Sequence, residues 1–280
     1  MPAEQIAENL AYINWTVLTG LAVGSLWAAA LGRLATQATK GYLGFVALSA
    51  AALGALASLS DGALPTGGTT GTGPVTPDPT WELARRIALW AVVVLAVAFA
   101  VAVLRGRRAP AIAVAGVAAG AAVLLAGALS WGGGALGSAL LLVQLAVLAA
   151  ATGGVWAAMI LGHWYLVTPR LPEAPLVRFA RTLAIVVAGQ LALFAIWTAV
   201  GAGPDGRPGF AALVGSWAMF VWLRLIVGLA MPLVVTWAAV QTARSRSMES
   251  ATGLLYIDVG LIASGTILAA GLYFGAGLLV

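Results

Sequence analysis

The sequence predicts an all-α, polytopic membrane protein with eight transmembrane helices. Of its 280 residues, 62% are hydrophobic and only 8% are charged, and the mean hydropathy is +1.02. Long apolar runs recur along the whole chain, and a run of about 20 residues spans the ~30 Å hydrocarbon core as a helix. Helices satisfy their own backbone hydrogen bonds in lipid, so we expect helices throughout.

The apolar runs define the eight helices in chain order. Their predicted ranges are 12–36, 42–60, 83–104, 110–131, 135–167, 176–201, 212–241 and 253–278. The longest connection, 61–82, is rich in Gly, Pro and Thr and predicts an irregular loop. The connection 168–175 contains three prolines, which predict a stiff turn.

Composition excludes several classes of protein and cofactor. The net charge is +5, but the basic residues lie between apolar runs, so we expect no nucleic-acid partner. The chain has no cysteine and one histidine, so we expect no haem or Fe–S cluster bound by this chain alone. It shows no motif for a metal site or a catalytic residue set, and its N-terminus has no basic region typical of a cleaved signal peptide.

Charge patterning predicts the orientation. Ten basic residues fall on one side of the eight-helix weave: Arg33, Lys40, Arg105, Arg107, Arg108, Arg170, Arg178, Arg181, Arg244 and Arg246. The other side has three (Arg85, Arg86 and Arg207) together with most of the acidic residues. Since basic residues are retained in the cytoplasm, we expect both termini on the outer, periplasmic side of a bacterial inner membrane. Trp15, Trp81, Trp131 and Trp164 fall near the predicted boundaries and are interpreted as interfacial anchors.

Two segments suggest that the chain has two halves. AVGSLWAAALGR (22–33) and ATGGVWAAMILGH (151–163) share small residues, a Trp-Ala-Ala sequence and a polar end. They predict a parallel repeat of two four-helix bundles, 1–131 and 132–280. Chance similarity between Ala- and Gly-rich helices is the alternative.

Polar side chains within the spans are costly in lipid and are the main functional candidates. Gln144, Gln190 and Arg224 come out at a similar mid-membrane depth in the second half, so they are predicted to be able to form one set. A buried arginine stays charged and must find carbonyls, amides, water or a counter-ion. The alternatives are that Arg224 meets a partner subunit or satisfies the carbonyls of a broken helix, and that the glutamines only join helices.

A second candidate set lies near the cytoplasmic boundary. His163 on the fifth helix and Asp258 on the eighth helix have similar depth, and the first and last helices of an up-down bundle are neighbours. Tyr165 and Tyr256 lie on the same two helices. Such a group suits a quinone or proton path. The alternatives are an interfacial His163, and an Asp258 paired with Arg244 or Arg246.

The architecture resembles the NrfD-like family, the membrane anchors of polysulfide and dimethyl sulfoxide reductases. The resemblance rests on the helix count, the two halves and the outward termini. It implies two four-helix bundles without haem that exchange electrons between a quinone, such as menaquinone or ubiquinone, and partner subunits. It also implies a quinone site in the first bundle near the outer face.

These observations together predict an integral membrane subunit of a respiratory, electron-transfer complex. Its expected contribution is a quinone pocket or a path for proton translocation in the second bundle, while cofactor-bearing subunits carry the metals or flavin. One alternative is a small-molecule or ion transporter or channel in which Arg224 binds an anionic substrate. The other is a structural subunit that docks partner helices, membrane lipids or pigments.

Overall fold

A computed structural model describes residues 1–65, 74–168, 171–205 and 210–280. Arg170 and Arg207, two of the basic residues on which the predicted orientation depends, lie outside these residues. Pro169 of the proline-rich turn also lies outside them. The helices are α1 (Pro2–Glu8), α2 (Leu10–Ala35), α3 (Lys40–Gly62), α4 (Glu82–Leu104), α5 (Pro110–Trp131), α6 (Ala135–Val167), α7 (Ala174–Val200), α8 (Ala218–Leu225), α9 (Met231–Arg244) and α10 (Met248–Ala276). A π-helical turn, Ile226–Ala230, joins α8 and α9 into one span.

Eight helical spans in the described part of the chain are long and apolar enough to cross a membrane, which confirms the predicted fold class. Helices α5 and α6 begin and end at the predicted residues. The seventh span begins at Ala218 and not at 212. The reason is that Phe210 and Gly215 have left-handed backbone angles, with φ of 58° and 92°, which interrupt a helix despite the apolar sequence.

Helix contacts form two rings of four. Helices α2, α3, α4 and α5 pack in one ring, and α6, α7, α9 and α10 pack in the other. The rings meet mainly through α2 against α6, and α5 against α6 and α10 against α2 flank that contact. The arrangement has the pattern of two four-helix bundles joined through their first helices.

The α2–α6 crossing depends on two glycines. A Cβ on Gly24 would lie 1.8 Å from the carbonyl oxygen of Ala149, and a Cβ on Gly153 would lie 2.1 Å from the amide nitrogen of Ser25. Each glycine precedes the tryptophan of its Trp-Ala-Ala segment by three residues. Matched positions of the two segments therefore face each other at the crossing, while the duplication itself stays a prediction.

The bundle has two ends, which we name by their contents. The terminal face contains residues 1–9, 74–81, 132–134, 201–205, 210–217 and 277–280, and there α1 packs on the end of α10. The basic face contains residues 36–39, 105–109, 171–173 and 245–247. Between the faces, outward stripes such as Leu83, Ile87, Trp90, Val94 and Val97 of α4 are exposed and apolar, as lipid contact requires.

Candidate functional site

Arg224 and Gln190 meet inside the second ring. The Arg224 guanidinium is buried, and its Nη2 donates to Gln190 Oε1 at 2.8 Å while its Nη1 donates to the Gly228 carbonyl at 3.3 Å. Gln190 Nε2 donates in turn to the Val147 carbonyl on α6 at 2.9 Å. The arginine on α8 is thus connected through α7 to α6.

The local sequence explains why Gly228 can accept this bond. Pro232 lies four residues after Gly228 and has no amide hydrogen, so it cannot make the α-helical bond to the Gly228 carbonyl. Gly265 on α10 leaves space for the guanidinium, since a Cβ there would lie 2.8 Å from Arg224 Nη1. Proline and glycine together accommodate the buried cation.

Compensation of this cation is incomplete. Within the described ranges, no carboxylate forms an ion pair with Arg224, and its Nε is buried without a hydrogen-bond partner. Gln144 is also buried, and its Oε1 has no partner in the described part of the chain. Gln190 and Arg224 are therefore brought together, whereas Gln144 makes no described hydrogen bond to either.

His163 and Asp258 are not brought together. Asp258 is fully buried, and its Oδ2 accepts a hydrogen bond from the Thr236 hydroxyl of α9 at 2.6 Å. His163 is exposed at the basic face. Its neighbour Gly162 packs against Thr252, six residues before Asp258 and so about 9 Å away along α10.

The remaining residues of this predicted set also lie apart. Tyr165 is buried and donates its hydroxyl to the Pro172 carbonyl, whereas Tyr256 is half exposed on α10. Arg246, considered above as a partner of Asp258, instead binds Glu173 at 2.6 Å. The hydrogen bonds of Glu173 with its own backbone and with Arg246 lower the pKa of that carboxyl. The carboxylate of Asp258 thus has Thr236 as its partner and not a basic residue.

A buried ionic group lies at the terminal face of the first ring. Its charges served above only to predict the orientation in the membrane. Arg85 Nε donates to Asp61 Oδ1 at 2.6 Å, and Arg86 Nε donates to Asp61 Oδ2 at 3.0 Å. Arg85 Nη1 also donates to the Ser130 hydroxyl at 3.1 Å. The side chains of Arg85 and Asp61 are 6% and 1% exposed, so this pair is removed from water.

Aromatic rings surround this pair. The Arg85 Cζ lies 4.8 Å from the centroid of Trp131 and 6.0 Å from that of Trp15, within range of a cation–π interaction. Tyr12 stacks on Phe274 at 4.8 Å and meets Trp131 edge-on at 5.7 Å. The interpretation of Trp15 and Trp131 as interfacial anchors is therefore wrong, because both are buried by this packing.

We call this group the Trp131 cluster. It consists of Tyr12, Trp15, Asp61, Arg85, Ser130, Trp131, Tyr273 and Phe274. The Tyr273 hydroxyl donates to the Trp131 carbonyl at 2.8 Å, which joins the end of α5 to α10 of the other ring. The cluster therefore lies where the two rings meet at the terminal face.

Two clefts reach this cluster. The first, of about 20 Å³, lies between Tyr12, Arg85, Trp131, Asp78 and Glu82. The second, of about 580 Å³, has Trp131 and Tyr273 in its wall and extends between the rings. Hydrogen bonds from Thr80 lower the pKa of Asp78, so this carboxyl is ionised at neutral pH. Trp131 is common to both clefts.

Comparison of the chain with protein-family models, curated proteins and solved structures finds no match. The assignment to all-α membrane proteins therefore rests on the helices themselves. Among the described residues there is no group of three or more His, Asp or Glu side chains able to hold a metal ion.

One sequence signal pointed toward the Trp131 cluster. Arg85 and Arg86 stand in the first turn of α4, where the helix dipole disfavours positive charge. Two cations at that position require acidic partners, and Glu82 and Asp61 supply them. That Asp61 is the buried partner depends on the packing of α3 against α4, which the spacing of residues does not reveal.

Proposed function

We propose that this chain is the quinone-binding membrane subunit of a respiratory redox complex, and that the Trp131 cluster holds the quinone head group. The observation that carries the proposal is a buried guanidinium, a phenol and an indole around two clefts at one membrane boundary. The resemblance to NrfD-like anchors implies a site in the first bundle near the outer face. The cluster lies in the first ring at the terminal face, which the charge pattern predicts to be the outer one, and this supports the proposal.

The residue types suit the chemistry of a quinone. A menaquinone or ubiquinone head is a planar ring with two carbonyl oxygens. The oxygens accept hydrogen bonds, and the ring requires apolar walls. Tyr12 and Arg85 offer donors at the first cleft, Trp131 forms a wall shared by both clefts, and the second cleft, of about 580 Å³, is the one with space for the ring. Oxidation of a quinol releases two protons and two electrons. We expect Asp78 and Glu82, which line the first cleft, to accept the protons.

Electrons must pass to a partner. The chain contains no cysteine and a single histidine, so it offers few ligands for a redox metal of its own. The proposal therefore includes a cofactor-bearing subunit at the terminal face. A proton path that includes Asp258, or Arg224 and Gln190, stays a prediction.

Arg224 favours a second candidate, an anion transporter. A buried guanidinium whose described partners are an amide and a carbonyl could bind an anion during transport. Arg224 lines neither of the two clefts at the Trp131 cluster, nor the inner part of the α2–α7 groove described below. The redox proposal is therefore preferred.

The test is purification from native membranes in a mild detergent. We expect cofactor-bearing proteins and extractable quinone to copurify with the wild-type chain. Tyr12→Phe keeps the ring contacts and removes one hydroxyl, so we expect about fivefold weaker quinone binding. Tyr256→Phe makes the same change on the half-exposed α10 surface and should bind quinone as the wild type does.

Two outcomes would contradict the proposal. A wild-type chain that purifies without quinone and without redox partners would favour the transporter, and uptake assays on Arg224 variants would follow. Equal quinone binding by wild type, Tyr12→Phe and Trp131→Leu would place the quinone elsewhere in the molecule.

A further inference from the structure

A groove separates α2 from α7 on the side of the basic face. Its inner part, of about 200 Å³, has Trp27 and Leu31 of α2 on one side, Phe179 and Leu183 of α7 on the other, and Gly154 of α6 as its floor. Its mouth, of about 260 Å³, lies between Thr36 and Gln37 after α2 and Arg178 of α7. Arg178 of the mouth directly precedes Phe179 of the inner part, so the two cavities follow one another along α7.

The groove is open because two matched tryptophans point to different helices. Trp156 of α6 donates its indole N–H to the Ser49 hydroxyl of α3 at 3.3 Å, and α3 and α6 are in contact. Trp27 of α2 donates instead to the Val117 carbonyl of α5 at 3.2 Å. Its ring therefore forms a wall of the groove and does not extend across to α7.

The depth of the groove corresponds to one leaflet. Its lining on α2 begins at Gly24, at the crossing with α6, and ends in the mouth at Ala35. These residues are eleven positions apart (35 − 24), or about 17 Å along the helix. Half of the ~30 Å hydrocarbon core is about 15 Å, so the groove is long enough for an acyl chain of that leaflet.

The mouth carries positive charge. Arg178 is the charged residue in its lining, and its guanidinium donates to the Ala35 carbonyl at the end of α2, which fixes it beside the opening. Among the described residues, no carboxylate lines the mouth, and nearby Glu173 is bound to Arg246. An anion is therefore the complement of this opening.

We propose that this groove is a binding site for an anionic glycerophospholipid, with one acyl chain between α2 and α7 and the phosphate at Arg178. The walls exclude polar ligands, the length selects an acyl chain, and the mouth selects a negative head group. The groove opens at the basic face, opposite the Trp131 cluster, so this inference is independent of the quinone proposal.

The experiment is native mass spectrometry of the whole chain, delipidated in detergent and then titrated with phosphatidylglycerol or with phosphatidylcholine of the same acyl chains. We expect the wild type to bind phosphatidylglycerol more tightly. Arg178→Gln should lower that affinity about fivefold and leave phosphatidylcholine unchanged. Arg244→Gln removes the same charge from the end of α9 and should change neither affinity.

A second pair of variants tests the acyl chain. Gly154→Leu adds a side chain at the floor of the groove, where the nearest atom to the new Cβ, in Leu183, is 3.8 Å away. We expect it to weaken binding of both lipids. Gly189→Leu adds the same side chain at an exposed position of α7 with no atom within 4 Å, and should bind as the wild type does.

The two variant pairs alter different parts of the groove. If a variant of one pair fails to fold, the other pair still tests the proposal. Equal affinity of the wild type for the two lipids would overturn the anionic specificity. Equal phosphatidylglycerol binding by Arg178→Gln and Arg244→Gln, or by Gly154→Leu and Gly189→Leu, would overturn the site.

Discussion

Asp61 shows how one residue's role depends on its surroundings. It lies at the end of α3, and its two carboxylate oxygens accept hydrogen bonds from Arg85 and Arg86 of α4. Arg85 is buried by aromatic rings, so its positive charge has the Asp61 carboxylate as its described counter-charge. Removal of one member of a buried ion pair leaves the other charge desolvated and uncompensated.

We expect Asp61→Asn to lower the free energy of unfolding by about 3–5 kcal/mol, the usual cost of breaking a buried pair. Glu82→Gln is the matched control, because Glu82 pairs with the partly exposed Arg86 in the same helix. This variant should lower the free energy of unfolding by at most about 1 kcal/mol. Denaturant unfolding of both variants in the same detergent measures the difference.

The double variant Asp61→Leu with Arg85→Met provides a further check. With both charges removed, we expect much of the stability lost in Asp61→Asn to return. A double variant less stable than the single one would mean that the polar contact with Ser130 and the ring contacts, and not the charge pair, govern stability here.

At the scale of elements, glycines determine how closely helices approach. Gly24 and Gly153 bring the backbones of α2 and α6 into direct contact, and Gly228 and Gly265 do the same for the π-helical turn and α10. In lipid, no hydrophobic effect drives helices together. Their association therefore depends on close packing between them. A methyl group at either crossing therefore separates the two helix backbones, and at the α2–α6 crossing it acts on the contact between the two rings.

We predict that Gly153→Ala destabilises the protein by more than the ~1–3 kcal/mol of ordinary overpacking. The reason is that the new Cβ would lie 2.1 Å from a backbone nitrogen, which cannot move as a side chain does. Thermal unfolding in detergent, followed by size-exclusion chromatography, measures the effect. Gly189→Ala places the same methyl group in open space on α7 and should unfold at the wild-type temperature.

The two glycine variants also distinguish packing from helix propensity. Replacing glycine by alanine favours a helix by up to about 1 kcal/mol. If Gly153→Ala were as stable as Gly189→Ala, the close α2–α6 crossing would not be present in the protein.

At the scale of the whole molecule, charge asymmetry predicts the orientation in the membrane. The described connections at the basic face carry Arg105, Arg107, Arg108 and Arg246, whereas Glu4, Glu8 and Asp78 lie at the terminal face. Basic residues near the ends of spans stay in the cytoplasm. We therefore expect the terminal face to lie outside.

Single cysteines test this orientation, since the natural chain has none. Ala3 and Ser245 are exposed on opposite faces. A membrane-impermeant maleimide added to intact cells or spheroplasts should label Ala3→Cys and spare Ser245→Cys until the membrane is opened. Labelling of Ser245→Cys alone in intact cells would reverse the orientation.

The eight spans could be predicted because each depends on a local property. Hydropathy over about 20 residues and the composition of the connections suffice to locate a span. Helices α5 and α6 have the predicted bounds. Errors arose where backbone conformation overrides composition, as at Gly215 before α8. Contacts between helices are harder to predict from the sequence, because the small residues that permit them are common in every span.

The sequence by itself determined the class, the helix count and the presence of costly polar residues within the spans, since these follow from hydropathy along the chain. Tertiary structure alone decided which polar residues meet. Arg224 binds Gln190, Asp258 binds Thr236 and not His163, and Asp61 binds Arg85 in a buried cluster, where the charge pattern had predicted only a side of the membrane. The physical reason is that helix rotation and lateral packing set these contacts, and depth along a helix constrains only one of the three coordinates that a hydrogen bond requires.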